Sequence, residues 1–460
     1  MIRGELKPTL RLAGPVVLAE LGWMGMGVVD TIMVGPLGPA AIGAAGVGNS
    51  MHLGFAIFGM GLLLGLDTLV SQAYGAGDLA LCRAWLGRGV QLALLTTVPL
   101  MLVLAAVWFV VPALGFHQDT LPLLRDFFAI LILTTPLLLL YAAFRRYLQS
   151  THHVAPVMFA LVTANLINAA GNWILIYGKL GMPALGVAGS AWATFAARAY
   201  MCGLLAAIVW WTWGDAADPP VVQQPTHTSI RRLVELGLPA ASTVTAEVGV
   251  FAVVTALAGR LEPVATASHQ IALNIAAVAF MIPLGLASAG AVRVGNAVGA
   301  RNRRGAAAAG WTVIAMSVAF MLFSGALFVA VPRTLIGLFT NDAAVLALGT
   351  SLLWIAAVFQ LFDGLQGVVT GTLRGLGDTR TPMVTNLAAH WLIGLPVGYW
   401  LCFGLGWGAP GLWWGLSTGL IVAGIALTLV WARRAAALAA LGSGTVTSKN
   451  AAGFATPREP

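Results

Sequence analysis

Apolar runs of about 20 residues recur along the whole chain, each followed by a short polar or charged interval, and a helix of that length crosses a hydrocarbon core of roughly 30 Å. The 460 residues hold twelve such runs, at 10–33, 46–74, 87–111, 125–146, 157–178, 186–211, 234–258, 268–297, 309–332, 346–373, 383–404 and 409–433. None alternates with the period of two that a membrane barrel strand requires. The pattern predicts an all-α integral membrane protein with twelve transmembrane helices.

The pattern also repeats. A shift of about 224 residues lays LAGP (Leu12 to Pro15) on LGLP (Leu236 to Pro239), Gly35 on Gly259, and QAYGAG (Gln72 to Gly77) on NAVGAR (Asn296 to Arg301). Pro112 then falls near Pro332, Asp119 near Asp342, and PALGVAG (Pro183 to Gly189) over APGLWWG (Ala409 to Gly415). Each half holds six helices, an even number, so the second half re-enters the membrane in the orientation of the first. Two parallel six-helix lobes follow, with the substrate path expected between them. The predicted division is an N-lobe at 1–213, a cytoplasmic linker at 214–232, a C-lobe at 233–434 and a tail at 435–460, small and polar, for which disorder is expected.

Composition reinforces the membrane reading and orients it. The chain is 59% hydrophobic and 9% charged, too apolar to cover the surface of a soluble protein. Of 24 basic residues, only Arg125, Lys179, Arg260 and Arg333 fall in loops on the side opposite the N-terminus, and Arg198 lies within a helix. The others share the N-terminal side, which predicts that both termini are cytoplasmic. The net charge of +8 is thus topological, facing anionic lipid, and calls for no nucleic-acid partner. The first run is long, carries Asp30 and lacks a small-residue cleavage site, so it reads as an insertion signal and not as a cleaved leader. Cys82, Cys202 and Cys402 stand singly, with no spacing for a disulfide framework or a metal.

Three acidic residues interrupt apolar runs: Asp30 in GVVDTIMVG, Glu247 in VTAEVGVFAVV and Asp363 in FQLFDGLQGVV. A carboxylate in hydrocarbon is costly unless it faces a polar cavity or a partner, so each marks a candidate site. Helix 5 adds Asn165, Asn168 and Asn172 in LVTANLINAAGNWILIYG, with Asn168 and Asn172 on one face. Amide oxygens are hard neutral ligands suited to Na⁺, and one carboxylate can neutralise it. Asp30, Asn168, Asn172 and Thr194 therefore form a candidate cation site, with interhelical amide bonding as the structural alternative for the asparagines. In the second half Glu247 and Asp363 are accompanied by Gln270 and Asn274, four apart on helix 8. Two carboxylates in one low-dielectric cavity suit a group that takes up and releases a proton, so this is a proton relay or a cation site.

Other polar residues read as structural. Glu20 either lines the Asp30 cavity or is ion-paired, Asp67 is expected to reach Arg83 or Arg88, and Arg198 to snorkel or pair with an acid. Pro15 can kink helix 1 and free a carbonyl. There is no Walker A loop, GxSxG, HExxH or clustered His/Cys set, so neither ATP-driven pumping, nor an enzyme, nor a cofactor is expected. Energy would come from an ion gradient.

The segments VVDTIMVG, ATASHQIALNIAAVAFMIPLGLASAGAVRVGNAVGA and FQLFDGLQGVVTGTLRGLGDTRTPM resemble the multidrug and toxic compound extrusion (MATE) family, most closely its bacterial NorM-like branch, and the resemblance spans all twelve helices. It implies a monomer in the bacterial inner membrane that exports lipophilic organic cations in exchange for Na⁺ or H⁺. By that resemblance Asp30, Asn168, Asn172 and Thr194 match the N-lobe polar set. Glu247 and Asp363 match the C-lobe acidic pair, Gln270 and Asn274 its polar companions, and Pro15 the bend of helix 1. NorM-like proteins commonly carry Tyr four residues before the helix-10 acid. Phe359 stands there in this chain, which weakens a C-lobe Na⁺ site while keeping a ring for cation–π contact. A flippase for lipid-linked saccharides, of a related fold, would need a basic cavity for pyrophosphate, whereas this midplane is acidic with Arg198 alone.

Overall fold

The computed structural model describes residues 2–114, 118–214 and 228–441. Its membrane-crossing elements are α1 (Ile2–Val34), α2 (Pro39–Gly75), α3 (Leu79–Val110), α4 (Thr120–Leu133 and Thr135–Ser150), α5 (Val154–Tyr177) and α6 (Val187–Gly214). The second half supplies α7 (Ile230–Ala258), α8 (Pro263–Gly299), α9 (Arg303–Ala330), α10 (Ala343–Gly375), α11 (Arg380–Gly404) and α12 (Ala409–Leu441). The two segments of α4 meet at an angle of 44° and together make one broken span. α11 contains two π-helical turns, Ala388–Gly394 and Trp400–Gly404.

The helices outrun the apolar stretches that predict them. α1 begins at Ile2 and not at 10, and α3 at Leu79 and not at 87. Hydropathy ends at the hydrocarbon boundary, but a capped helix continues into the polar layer. The Asp78 side chain accepts from the Leu81 amide and Asn302 from the Gly305 amide, both at 2.8 Å, and these two caps are 224 residues apart. Ser229 caps α7, so Arg231 and Arg232, placed in the linker by sequence, are helical. α12 likewise runs to Leu441, past the expected start of the tail at 435. Residues 215–227 of the linker and 442–460 of the tail lie outside the described residues.

α1 packs on α8 and α2 on α7, the exchange expected of two repeats about a common axis. Leu12, Ala13 and Val16 of α1 are buried with Leu286, Ala287 and Val292 of α8, while Leu233 and Ala241 of α7 are buried in the core of the first half. The contacts obey the 224-residue shift pair by pair. Gly61 faces Ala241, and Gly285 faces Val17. A Cβ on Gly75 would lie 2.0 Å from the carbonyl oxygen of Asn296, and one on Gly299 would lie 1.9 Å from that of Gln72. Only glycine permits that approach, and the two halves supply it reciprocally.

These contacts lie toward the end of the bundle that carries Ile2 and Leu441, where polar groups seal the halves together. Gln72 Nε2 donates to the Gly375 carbonyl at 3.0 Å, Arg146 Nη1 to Ser288 Oγ at 3.0 Å, and Arg293 pairs with Glu5. Asp67 is fully buried and pairs with Arg374 at 3.2 Å and Arg146 at 3.4 Å. Its expected partners, Arg83 and Arg88, are not the ones it meets, because Asp67 lies on the face of α2 that packs on α8 and α10. Glu20 is held in a buried pair with Arg145 of α4. Over the outside, Val98, Leu102, Phe109, Trp210, Leu322 and Phe323 are exposed and present an apolar belt to lipid.

Candidate functional site

The α-helical spacing of Asn168 and Asn172 on α5 places both amides, fully buried, opposite Asp30 of α1. Asn172 Nδ2 donates to Asp30 Oδ1 at 2.7 Å and lies 3.2 Å from Asn168 Oδ1. Thr194 of α6 donates to Asp30 Oδ2 at 3.2 Å, and Asn168 Nδ2 reaches Thr194 Oγ1 at 3.5 Å. The four side chains close a ring that joins three helices. Asn172 Oδ1 is buried with no partner among the described residues, an open acceptor on the amide whose nitrogen bonds Asp30. Carboxylate, amide and hydroxyl oxygens are the donor set of a hard monovalent cation, so these residues fit one.

Neighbouring groups brace the ring. Asn165 donates to the Gly22 carbonyl at 3.1 Å and to Leu161 at 2.9 Å, tying α5 to α1 outside the ring. Arg198, one turn beyond Thr194 on α6, neither snorkels nor pairs directly with an acid. It is buried and donates to Thr134 Oγ1 at the bend of α4, because the broken helix leaves a polar group there to satisfy it. α1 runs through Pro8 and Pro15 without interruption, so the bend expected at Pro15 is not a break in the helix.

The C-lobe constellation is sparser. Gln366 Nε2 of α10 donates to Glu247 Oε2 of α7 at 3.3 Å, and Asp363 is buried three residues earlier on α10. Gln366 was absent from the candidates, although a polar residue one turn past an intramembrane acid, in GLQGVV, carries the signal. Gln270 and Asn274 are exposed on α8 and make no hydrogen bond to either acid among the described residues. Phe359 presents no free ring face to a cation: it is buried, with its ring 5.7 Å from that of Trp413. Trp413 is itself anchored by donating to His269 Nδ1 at 3.0 Å, and His269 Nε2 meets Thr255 Oγ1 at 3.0 Å. This aromatic cluster is core.

Twelve apolar spans in two packed repeats, one of them the bent pair α4, with acids inside spans of both, make this a multi-pass membrane protein. The MatE family profile matches residues 15–174 and 239–400, one block in each repeat, and the chain belongs to that family. It is 35% identical over 434 residues to the probable multidrug resistance protein NorM of Pseudomonas putida KT2440, covering 92% of this chain and 93% of that one. It is 34% identical over 461 residues to the like-named protein of Mesorhizobium japonicum, covering 94% of each. Among solved structures, the eukaryotic MATE transporter AtDTX14 superposes with a TM-score of 0.84 at 23% identity, over 95% of this chain and 98% of that one. A MATE in complex with MaL6 gives 0.85 at 20% identity, over 95% and 97%. The fold is that of a MATE transporter.

Proposed function

We propose that this chain is a secondary multidrug antiporter of the bacterial inner membrane, exporting lipophilic organic cations in exchange for Na⁺ or H⁺. The relatives named multidrug resistance proteins support the drug-exporting part of this reading. The observation that carries the coupling part is the ring around Asp30, a buried set of oxygens with one acceptor open. The excess of basic residues in the loops on the N-terminal side supports cytoplasmic termini, and in that orientation the sealed end faces inward and the two sites are reached from outside.

In this reading the N-lobe ring takes the incoming cation on the Asp30 carboxylate, the Asn168 and Asn172 amide oxygens and the Thr194 hydroxyl. The C-lobe pair takes a proton on Glu247 or Asp363. A lipophilic cation is attracted by the same carboxylates, so loading them from outside removes the charge that holds the drug and releases it. Unloading inside requires the glycine contacts and ion pairs at the sealed end to part, so in this reading a monomer works by rocking its two lobes about one central path.

Purified protein in proteoliposomes tests this with a fluorescent organic cation and a pH or Na⁺ gradient imposed separately. Export driven by at least one gradient is the expected result. Equal dye movement with and without either gradient would contradict antiport.

A further inference from the structure

Toward the end of the bundle that carries Ile2 and Leu441, α7 and the start of α11 leave a groove of about 550 Å³ between them, open on one side. That volume lies within the roughly 300–1,000 Å³ of small-molecule sites. Its apolar wall is Val234, Leu238 and Pro239 of α7 with Met383 of α11, and its charged residues are Arg231, Glu235 and Arg380. Leu238 is exposed, as is Val384 immediately after Met383, and exposed apolar side chains on a membrane span face acyl chains. From Arg231 to Ser242, the last α7 residue of the lining, the helix rises about 16 Å, which stays within one leaflet of roughly 20 Å, headgroups included.

The charge of the groove has one dominant sign. Glu235 Oε1 accepts from Arg231 Nε at 3.1 Å and Glu235 Oε2 from Arg232 Nη1 at 3.2 Å, so both its oxygens are engaged and the terminal nitrogens of Arg231 remain for a second anion. The acid nearest Arg380 in sequence, Asp378, accepts from the Thr381 amide and hydroxyl at 3.1 and 2.9 Å and from Arg434 at 3.4 Å. The Arg380 side chain itself is exposed and has no partner among the described residues. A guanidinium meets a phosphate through two parallel N–H bonds, and basic pockets between transmembrane helices suit anionic lipid headgroups.

The geometry points to a binding site for an anionic glycerophospholipid, with its phosphate between Arg231 and Arg380 and an acyl chain along Val234, Leu238 and Met383. Charge selects the headgroup and the apolar wall requires the tail, so neither a free phosphate nor a lipid without net charge meets both conditions. The bound lipid fills the space between α11 and α7, the helix that carries Glu247. In the orientation proposed above the leaflet is the cytoplasmic one, and binding itself does not depend on antiport.

The test uses the purified full chain, with dioleoyl phosphatidylglycerol titrated in detergent and lipid-bound protein counted by native mass spectrometry. Expected is one lipid held at least tenfold more tightly than dioleoyl phosphatidylcholine. Arg231→Gln/Arg380→Gln should weaken it about tenfold, and Leu238→Trp, which fills the groove and keeps its charges, at least threefold. Arg303→Gln/Arg304→Gln removes the same charge from exposed positions at the start of α9 and should leave the affinity within twofold. Unchanged binding in either groove variant, or an equal loss in the Arg303/Arg304 control, overturns the inference. So does displacement by a hundredfold excess of glycerol 3-phosphate, which would make this a site for a free phosphate. Lipid binding that emerges only with Asp215→Asn/Asp218→Asn overturns it as well, by making the linker the occupant.

Discussion

Asp30 in the N-lobe receives hydrogen bonds from two side chains, at 2.7 and 3.2 Å, each braced by Asn168. Glu247 in the C-lobe receives one at 3.3 Å, and Asp363 receives none among the described residues. The two sites therefore solve the problem of an intramembrane carboxylate differently. The N-lobe surrounds one acid with neutral oxygens and donors from three helices, a preorganised shell that suits coordination. The C-lobe places one acid on α7 and one on α10, with a single amide, Gln366, bonded to Glu247 alone, an arrangement relieved by a bound proton or an organic cation. One fold, built from a duplicated sequence, thus carries two chemically distinct settings for an intramembrane carboxylate.

The largest effect that can break this comparison comes from the C-lobe. Glu247→Gln and Asp363→Asn should each reduce ΔpH-driven dye efflux to the protein-free background at normal membrane abundance, because the acids are held for charge and make few packing contacts. Wild-type rates in both variants would remove the C-lobe from coupling. Asp30→Asn should come next, slowing drug release while the ring persists, since the new amide oxygen can still accept from Asn172 and the new amide nitrogen can donate to the Thr194 hydroxyl oxygen. Efflux kinetics in the same vesicles, alongside a melting curve, separate slow release from lost fold.

Smaller effects sharpen the contrast within the N-lobe. Asn172→Ala should raise the Na⁺ concentration for half-maximal stimulation by about tenfold, equivalent to about 1.4 kcal/mol, and leave the proton response in place. An amide oxygen coordinates a metal cation but stores no proton, so equal shifts in both responses would mean the asparagines only join helices. The smallest change is expected of Phe359→Tyr. The new hydroxyl enters the Trp413 cluster, where a buried group without a partner costs about 1–3 kcal/mol. A lower melting temperature with no new Na⁺ response is predicted, and a gained Na⁺ response would place Phe359 at the site after all.

Periodicity explains which of these features were legible in the chain. Asn168 and Asn172 share a face by their spacing alone, and an acid opposite them on α1 follows from the cost of burying it elsewhere. The repeat register identifies Gly75 and Gly299 as equivalent, and the fold presses each against the other half's matching helix. Hydropathy does not report helix rotation, however. That Phe359 packs on Trp413 depends on how α10 sits against α12, which the spacing of residues within α10 does not specify. The partners of Asp67 are not legible in the chain because Arg146 and Arg374 are distant in sequence, the second in the other half. The start of α3 extends past its apolar run because the Asp78 cap stabilises helix where hydropathy has already fallen; α1 and α12 also continue into polar sequence.

The most direct test of the division of labour is proton release on drug binding, measured in weakly buffered detergent solution with tetraphenylphosphonium as the drug. The account predicts release of about one proton per protein by wild type and by Asn172→Ala, and none by Glu247→Gln when binding is saturated. Undiminished release from Glu247→Gln, with release lost in Asn172→Ala, would contradict it by placing the proton in the N-lobe ring.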